Sequence, residues 1–222
     1  VYNETNGKEG AFIVASTYSG GKNFQWAADN PVWCGMYDTL GEVGVLSIGA
    51  TTNLNVDVDE YGDMPSTCTS DYLVMVTSTD EIDSKLISAG YGPKSVDLGA
   101  PGINLLTTHI DNIYHLFSGT SAATPLVAGT IGLLYSIPNL SIAIDNKIEP
   151  SSSALKIKSY ILDGVLQISD LKNRTVTGGR LDLSNAIRRL SQANGGNRLG
   201  LQIDAVFPNP AVDQVQVTVH LD

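Results

Sequence analysis

Four short apolar runs, rich in β-branched residues, constrain this chain more than any other feature. They are AFIVAS (11–16), VGVLSIGA (43–50), YLVMVTS (72–78) and SVDLGAPG (95–102). None alternates apolar with polar residues, so each is predicted as a strand buried on both faces. Between the first two, NPVWCGMYDTLGEVG (30–44) carries apolar residues at 32, 33, 36, 37 and 40, with Gly41 near its stop, which is helical spacing. Strands separated by helical stretches imply a mainly parallel sheet in an α/β fold. In such sheets ligand-binding loops gather at the carboxyl ends of the strands. SGG follows the first run, and ATTN closes the second.

The stretch FSGTSAATPLVAG (117–129) opens a predicted helix over 120–136, with Thr120 as its N-cap and Val127, Ile131 and Leu134 repeating at i, i+4 and i+7. Leu126, Leu133 and Tyr135 make that helix apolar around most of its circumference, so it is expected to be buried. Pro125 has no N–H and cannot bond the carbonyl of Ser121, which opens the first turn. Ser121 then sits where backbone N–H groups lack helical partners. An oxyanion formed beside it could accept from its N–H and sense the positive end of the helix dipole. A bare Gly-Thr-Ser is an ordinary helix start; the longer string G-T-S-x-A-x-P-x-V-A-G is far more specific.

Further along, helices are predicted over 152–164 and 181–193, with a Pro/Asn-rich loop before the first. QANGGN (192–197) has linker composition, and VFPNPAVDQVQVTVHL (206–221) alternates Val with polar residues, as a strand of a separate β module would. The formal charge of −10 excludes nucleic acid and anionic membrane surfaces as partners, since both demand a basic patch. No run approaches the roughly 18 apolar residues of a membrane span. Cys34 and Cys68 can form one bridge or be two unrelated buried thiols.

The serine string, with DLGAPG upstream, resembles the serine segment of the subtilisin-like serine proteases, the subtilase family. GVLSIGATTN (44–53) resembles that family's strand ending in an oxyanion-hole asparagine, with Thr52 where the family has glycine and Asn53 keeping the amide. IVASTYSGG (13–21) resembles its substrate-binding strand and loop, DMP (63–65) its Tyr-Pro turn, and GGRLDLSNAIRRL (178–190) its closing helix. The resemblance implies a three-layer subtilisin-like fold with a mainly parallel sheet, of which this chain carries the carboxyl-terminal part. The expected organisation is a catalytic-domain portion over 1–193, a linker over 194–200 and the start of a truncated β module over 201–222.

It also implies roles. Ser121 is the expected nucleophile and Asn53 the oxyanion-hole donor; Ser19, Gly20 and Gly21 pair with an extended substrate, while Ala50, Thr51 and Thr52 wall the first specificity pocket. The GATxN strand, the WC…C pair and the Phe-Pro-Asn-Pro opening of the tail resemble secreted members from Bacteroidetes-type bacteria carrying a type IX sorting module. On that resemblance Cys34–Cys68 is an expected disulfide, and the protein is secreted or at the cell surface.

A serine hydroxyl needs a base. In subtilases an Asp and a His precede the serine. His109, His115 and His220 stand in no His-Gly-Thr setting and read as solvated or structural imidazoles. The expected partner is therefore an upstream, Asp- and His-bearing part of the same protease, and this chain alone is expected to be inactive. Without the sheet's first strands, apolar faces of the strands at 11–16 and 43–49 would be uncovered. The acidic stretch NVDVDEYGD (55–63) reads as a solvated loop without EF-hand spacing, although structural calcium is compatible with its carboxylates. No metal or cofactor is needed for the chemistry. The expected function is serine endopeptidase, acting on a polypeptide. The competing reading, of a different class, is a non-catalytic subtilase-like surface binding module. A serine esterase of the α/β-hydrolase type is weaker, since it requires Gly-x-Ser-x-Gly and a following His.

Overall fold

The computed structural model describes residues 14–137 and 140–193, together with the backbone of 201–207 and 216–221. In chain order the strands are β1 (Ala15–Tyr18), β2 (Lys22–Asn23), β3 (Leu46–Ala50), β4 (Asp63–Met64), β5 (Leu73–Thr79), β6 (Leu98–Pro101), β7 (Leu105–His109), β8 (Ile113–Phe117), β9 (Leu166–Gln167), β10 (Gly179–Arg180), β11 (Leu201–Phe207) and β12 (Gln216–Leu221). The helices are α1 (Pro31–Glu42), α2 (Val58–Tyr61), α3 (Thr120–Ser136), α4 (Leu140–Ile148), α5 (Pro150–Leu162) and α6 (Leu183–Ala193).

The main sheet has the order β1-β3-β5-β6-β10-β9. Every neighbouring pair from β1 to β10 is parallel, and only β9 runs antiparallel. Successive side chains of a strand face opposite sides of its sheet, and β5 shows how both faces are covered. Val74 and Val76 pack with Val127 and Ile131 of α3, Ile157 of α5 and Leu190 of α6. Leu73 and Met75 face the other way, against Tyr37 of α1, Met64 and Cys68. The result is the three-layer α/β arrangement expected from the sequence.

The strand expected over 43–49 is not left uncovered. All of Leu46–Ala50 is buried, because β1 and β5 flank it and helices cover both faces. Among the described residues the first strand covers Ala15–Tyr18, and it is the half-buried edge of the sheet; residues 11–13 lie outside the described residues. Burial of Val127, Ile131 and Leu134 beneath the sheet contributes roughly 1.5–3 kcal/mol each to the attachment of α3. The helix is nevertheless not buried all round, since Leu126 and Leu133 remain exposed on its outer side.

Cys34 of α1 and Cys68 form a disulfide. Lys158, reaching from α5, donates to the carbonyls of Asp71 and Leu73 at 2.9 and 2.7 Å, where the chain enters β5.

Four segments depart from the sequence expectation or add to it. The loop expected after 137 contains α4, whose Ile142 joins the core beside α5. The acidic stretch contains the short helix α2, because the Asp57 side chain accepts from the Asp59 N–H at 2.9 Å and caps it. Residues 105–117 form an antiparallel hairpin, β7–β8, with Leu106, Ile110, Ile113, Tyr114 and Leu116 exposed. In the tail, β11 and β12 pair antiparallel as a two-stranded ribbon, where a single strand was expected. The linker at 194–200 lies outside the described residues. No single helix among the described residues is long and apolar enough to cross a membrane.

Candidate active site

The carboxyl ends of β1 and β3 and the first turn of α3 meet around a cavity of about 230 Å³. Ser19, Gly20, Gly21, Ala50, Thr51, Thr52, Asn53 and Ser121 all line it, together with Asn23 and Asp63. The eight residues singled out in the sequence for catalysis and substrate binding are therefore brought to one place. Parallel pairing of β1 with β3 puts their ends side by side, Tyr18 opposite Gly49.

Two glycines make this convergence sterically feasible. A Cβ on Gly21 would fall 2.0 Å from the carbonyl oxygen of Met64. Gly119 has φ +127°, and a Cβ there would lie 3.0 Å from Asn53 Oδ1. Only glycine takes that backbone conformation freely, so the turn that feeds α3 can press against Asn53.

Gly119, not Thr120, is the N-cap of α3. Thr120 is turned inward instead: its hydroxyl donates its one proton to the Thr51 carbonyl at 2.6 Å, and Asn53 Oδ1 lies 3.2 Å from the same hydroxyl oxygen. Its N–H donates to the same Oδ1 at 3.1 Å. With the oxygen of the Asn53 amide held in this way, its Nδ2 has no partner among the described residues and remains a donor for a ligand. The Ser121 N–H lies in the first turn, where the helix itself offers no acceptor. Those two donors could share one developing negative charge.

The Ser121 hydroxyl donates to the carbonyl of Ser19 at 3.0 Å. No imidazole lines the cavity among the described residues. His109 and His115 sit on the β7–β8 hairpin with their rings 5.3 Å apart in an edge-to-face contact, both exposed. The side chain of His220, on β12, lies outside the described residues.

Asp63 is the site residue that sequence reasoning missed. It is 1% exposed, and its Oδ2 accepts from the Thr52 N–H at 3.1 Å and from the Ser66 hydroxyl. Burial pushes its carboxyl up to about 6, partly offset by those hydrogen bonds from Ser66 and Thr52. The other carboxylates of that stretch are engaged separately, Asp57 as the cap of α2 and Asp59 as acceptor of the Lys94 N–H at 2.7 Å.

Comparison with known proteins places this geometry in context. The model of the subtilase family matches residues 1–174. Subtilisin-like protease 2 of Plasmodium falciparum is 28% identical over 169 residues, which is 76% of this chain and 12% of that protein. Thermitase of Thermoactinomyces vulgaris is 43% identical over 77 residues, 33% of this chain and 27% of that protein. The chain thus aligns with a minor part of the length of both relatives. Among solved structures, that of the prenylagaramide maturation protease PagA superposes with a TM-score of 0.65 at 21% identity, over 86% of this chain and 65% of that one, which establishes a shared fold.

Proposed function

Because the chain belongs to the subtilase family, we propose that it is the serine-bearing portion of a secreted endopeptidase that cleaves polypeptides through an acyl-enzyme on Ser121. The observation that supports this most directly is the fixed Asn53 amide, whose Oδ1 is tied to Thr120 and whose Nδ2 has no partner among the described residues, in the cavity that Ser121 also lines.

In the proposed reaction Ser121 Oγ attacks the scissile carbonyl carbon, and its proton passes to an imidazole. The carbonyl oxygen becomes an oxyanion held by Asn53 Nδ2 and the Ser121 N–H. Collapse breaks the C–N bond as the imidazolium returns the proton to the departing amine; water then hydrolyses the ester by the same steps. The hydroxyl donates to the Ser19 carbonyl, so its proton must turn about the Cβ–Oγ bond to reach a base. That base and its orienting carboxylate are proposed to lie on an Asp- and His-bearing segment preceding residue 1. Ser19–Gly21 would pair with the extended substrate backbone. The mechanism uses no metal or cofactor.

The Cys34–Cys68 disulfide supports export to an oxidising compartment. The two-stranded tail is proposed to open a sorting module. The rival reading, a catalytically silent binding module, draws on the missing imidazole. The test is fluorophosphonate labelling of the full-length protein: labelling lost in Ser121→Ala is the expected result, and labelling unchanged in that variant removes Ser121 from the mechanism.

A further inference from the structure

We infer that Asp63 selects the substrate, and that the side chain the cavity accepts is cationic, a lysine or arginine on the acyl side of the scissile bond. The inference rests on the proteolytic reading above and adds the substrate class to it.

Among the described residues, the cavity that holds the Ser121 hydroxyl has a single ionisable side chain in its lining, Asp63. Its walls are short and uncharged: Ala50, Thr51 and Thr52. At about 230 Å³ it is smaller than the roughly 300–1,000 Å³ of sites for drug-sized ligands, so it suits one amino-acid side chain. The acid is therefore at hand for whatever enters beside the nucleophile.

The hydrogen bonding of Asp63 is lopsided. Both donors that reach its carboxylate, the Thr52 N–H and the Ser66 hydroxyl, end on Oδ2. An ionised carboxylate can accept about four hydrogen bonds over its two oxygens. Oδ1 has no partner among the described residues and is the atom left for a ligand. A buried carboxylate that is short of donors is costly, and an ammonium or guanidinium in the cavity would supply both charge and donors.

Its position is fixed as well. Asp63 pairs with Asn23 in the β2–β4 ladder, and its carbonyl accepts from the Thr67 N–H and hydroxyl at 3.0 and 3.1 Å. The backbone that carries the acid is therefore held beside the cavity, and the Thr52 and Ser66 donors hold its carboxylate. The attraction of a bound cation offsets the desolvation that raises its pKa, which favours the charged pair once the pocket is filled. A net charge of −10 further raises the local concentration of basic substrates.

The alternative is a purely structural acid that clamps Thr52 to Ser66 and never meets a ligand. Calorimetry with benzamidine, an amidinium probe, on the full-length protein separates the two without requiring turnover. Saturable binding, weakened at least tenfold in both Asp63→Asn and Asp63→Ser, is expected. No binding, or binding indifferent to these substitutions, overturns the inference. The wild-type enzyme offers a second measurement that needs no folded variant: matched peptides with Arg, Lys, Gln, Leu or Phe before the scissile bond. Arg or Lys is expected to exceed Leu and Phe at least tenfold in kcat/KM, and a preference for Gln, Leu or Phe overturns the inference while leaving the proteolytic reading intact. Benzamidine binding that depends on Asp63, in a protein that neither labels nor turns over, retains the cationic pocket and removes the protease.

Discussion

Asn53 Oδ1 accepts the Thr120 N–H at 3.1 Å, while the Thr120 hydroxyl, 3.2 Å from the same oxygen, donates to the Thr51 carbonyl at 2.6 Å. The strand end that carries the amide and the helix start that carries Ser121 are thereby locked together. Asn53→Ala should lower kcat by about 10²–10³ with little change in KM, the size of loss measured for such a donor in the related enzyme subtilisin. Thr120→Val leaves the N–H bond in place and removes the hydroxyl's contribution, about 0.5–1.5 kcal/mol, so roughly a two- to tenfold fall in kcat is expected. Steady-state kinetics on the full-length enzyme check both; a pure KM effect for Asn53→Ala would contradict the oxyanion role.

The Cys34–Cys68 bridge spans 34 positions of sequence, and Asn53 lies inside that loop. In the chain-entropy account its loss should cost about 3–4 kcal/mol. Cys34→Ala/Cys68→Ala is expected to unfold at correspondingly lower urea. Adding reductant should shift the wild type toward the double variant and leave the double variant where it was.

Asp63 gives stability a pH dependence of defined sign. Its carboxyl moves from the ordinary 3.8 to about 6 in the folded protein, with burial as the leading cause. Between those values the folded state binds more protons than the unfolded one, so stability falls as pH rises. The contribution is fully present below 3.8 and is lost as pH passes through about 6, with an amplitude on the order of 3 kcal/mol. Asp97, also raised by burial, acts in the same direction. Urea unfolding of wild type and Asp63→Asn from pH 4 to 8 isolates the Asp63 share: the difference between them should vary across this window and flatten above it.

Much of this arrangement can be read in the sequence where a local rule and the tertiary packing agree. Helix α3 runs over 120–136 as its apolar repeat requires, and the four apolar runs became β1, β3, β5 and β6, because strands covered on both faces tolerate no polar alternation. Elements were missed where the local signal misleads. LSIAI in α4 has apolar residues at 140, 142 and 144, a strand-like period, and the segment is helical beside α5, with Ile142 in the core. The β7–β8 hairpin turns through Asp111 and Asn112, both at positive φ, in place of a glycine that would have marked the turn. Asp63 closes a run of exposed-looking acids, and nothing local distinguishes it from them. Its place is set by contacts distant in sequence, the ladder to Asn23 forty residues earlier and the Thr52 N–H on its carboxylate.

Lys158 extends its ammonium from α5 to two carbonyls at the entrance to β5, with Asp97 nearby. A cation attached by its own side chain is present at fixed stoichiometry and cannot be dialysed away. The anchor that this side chain supplies at the entrance to β5 therefore does not itself depend on a divalent ion.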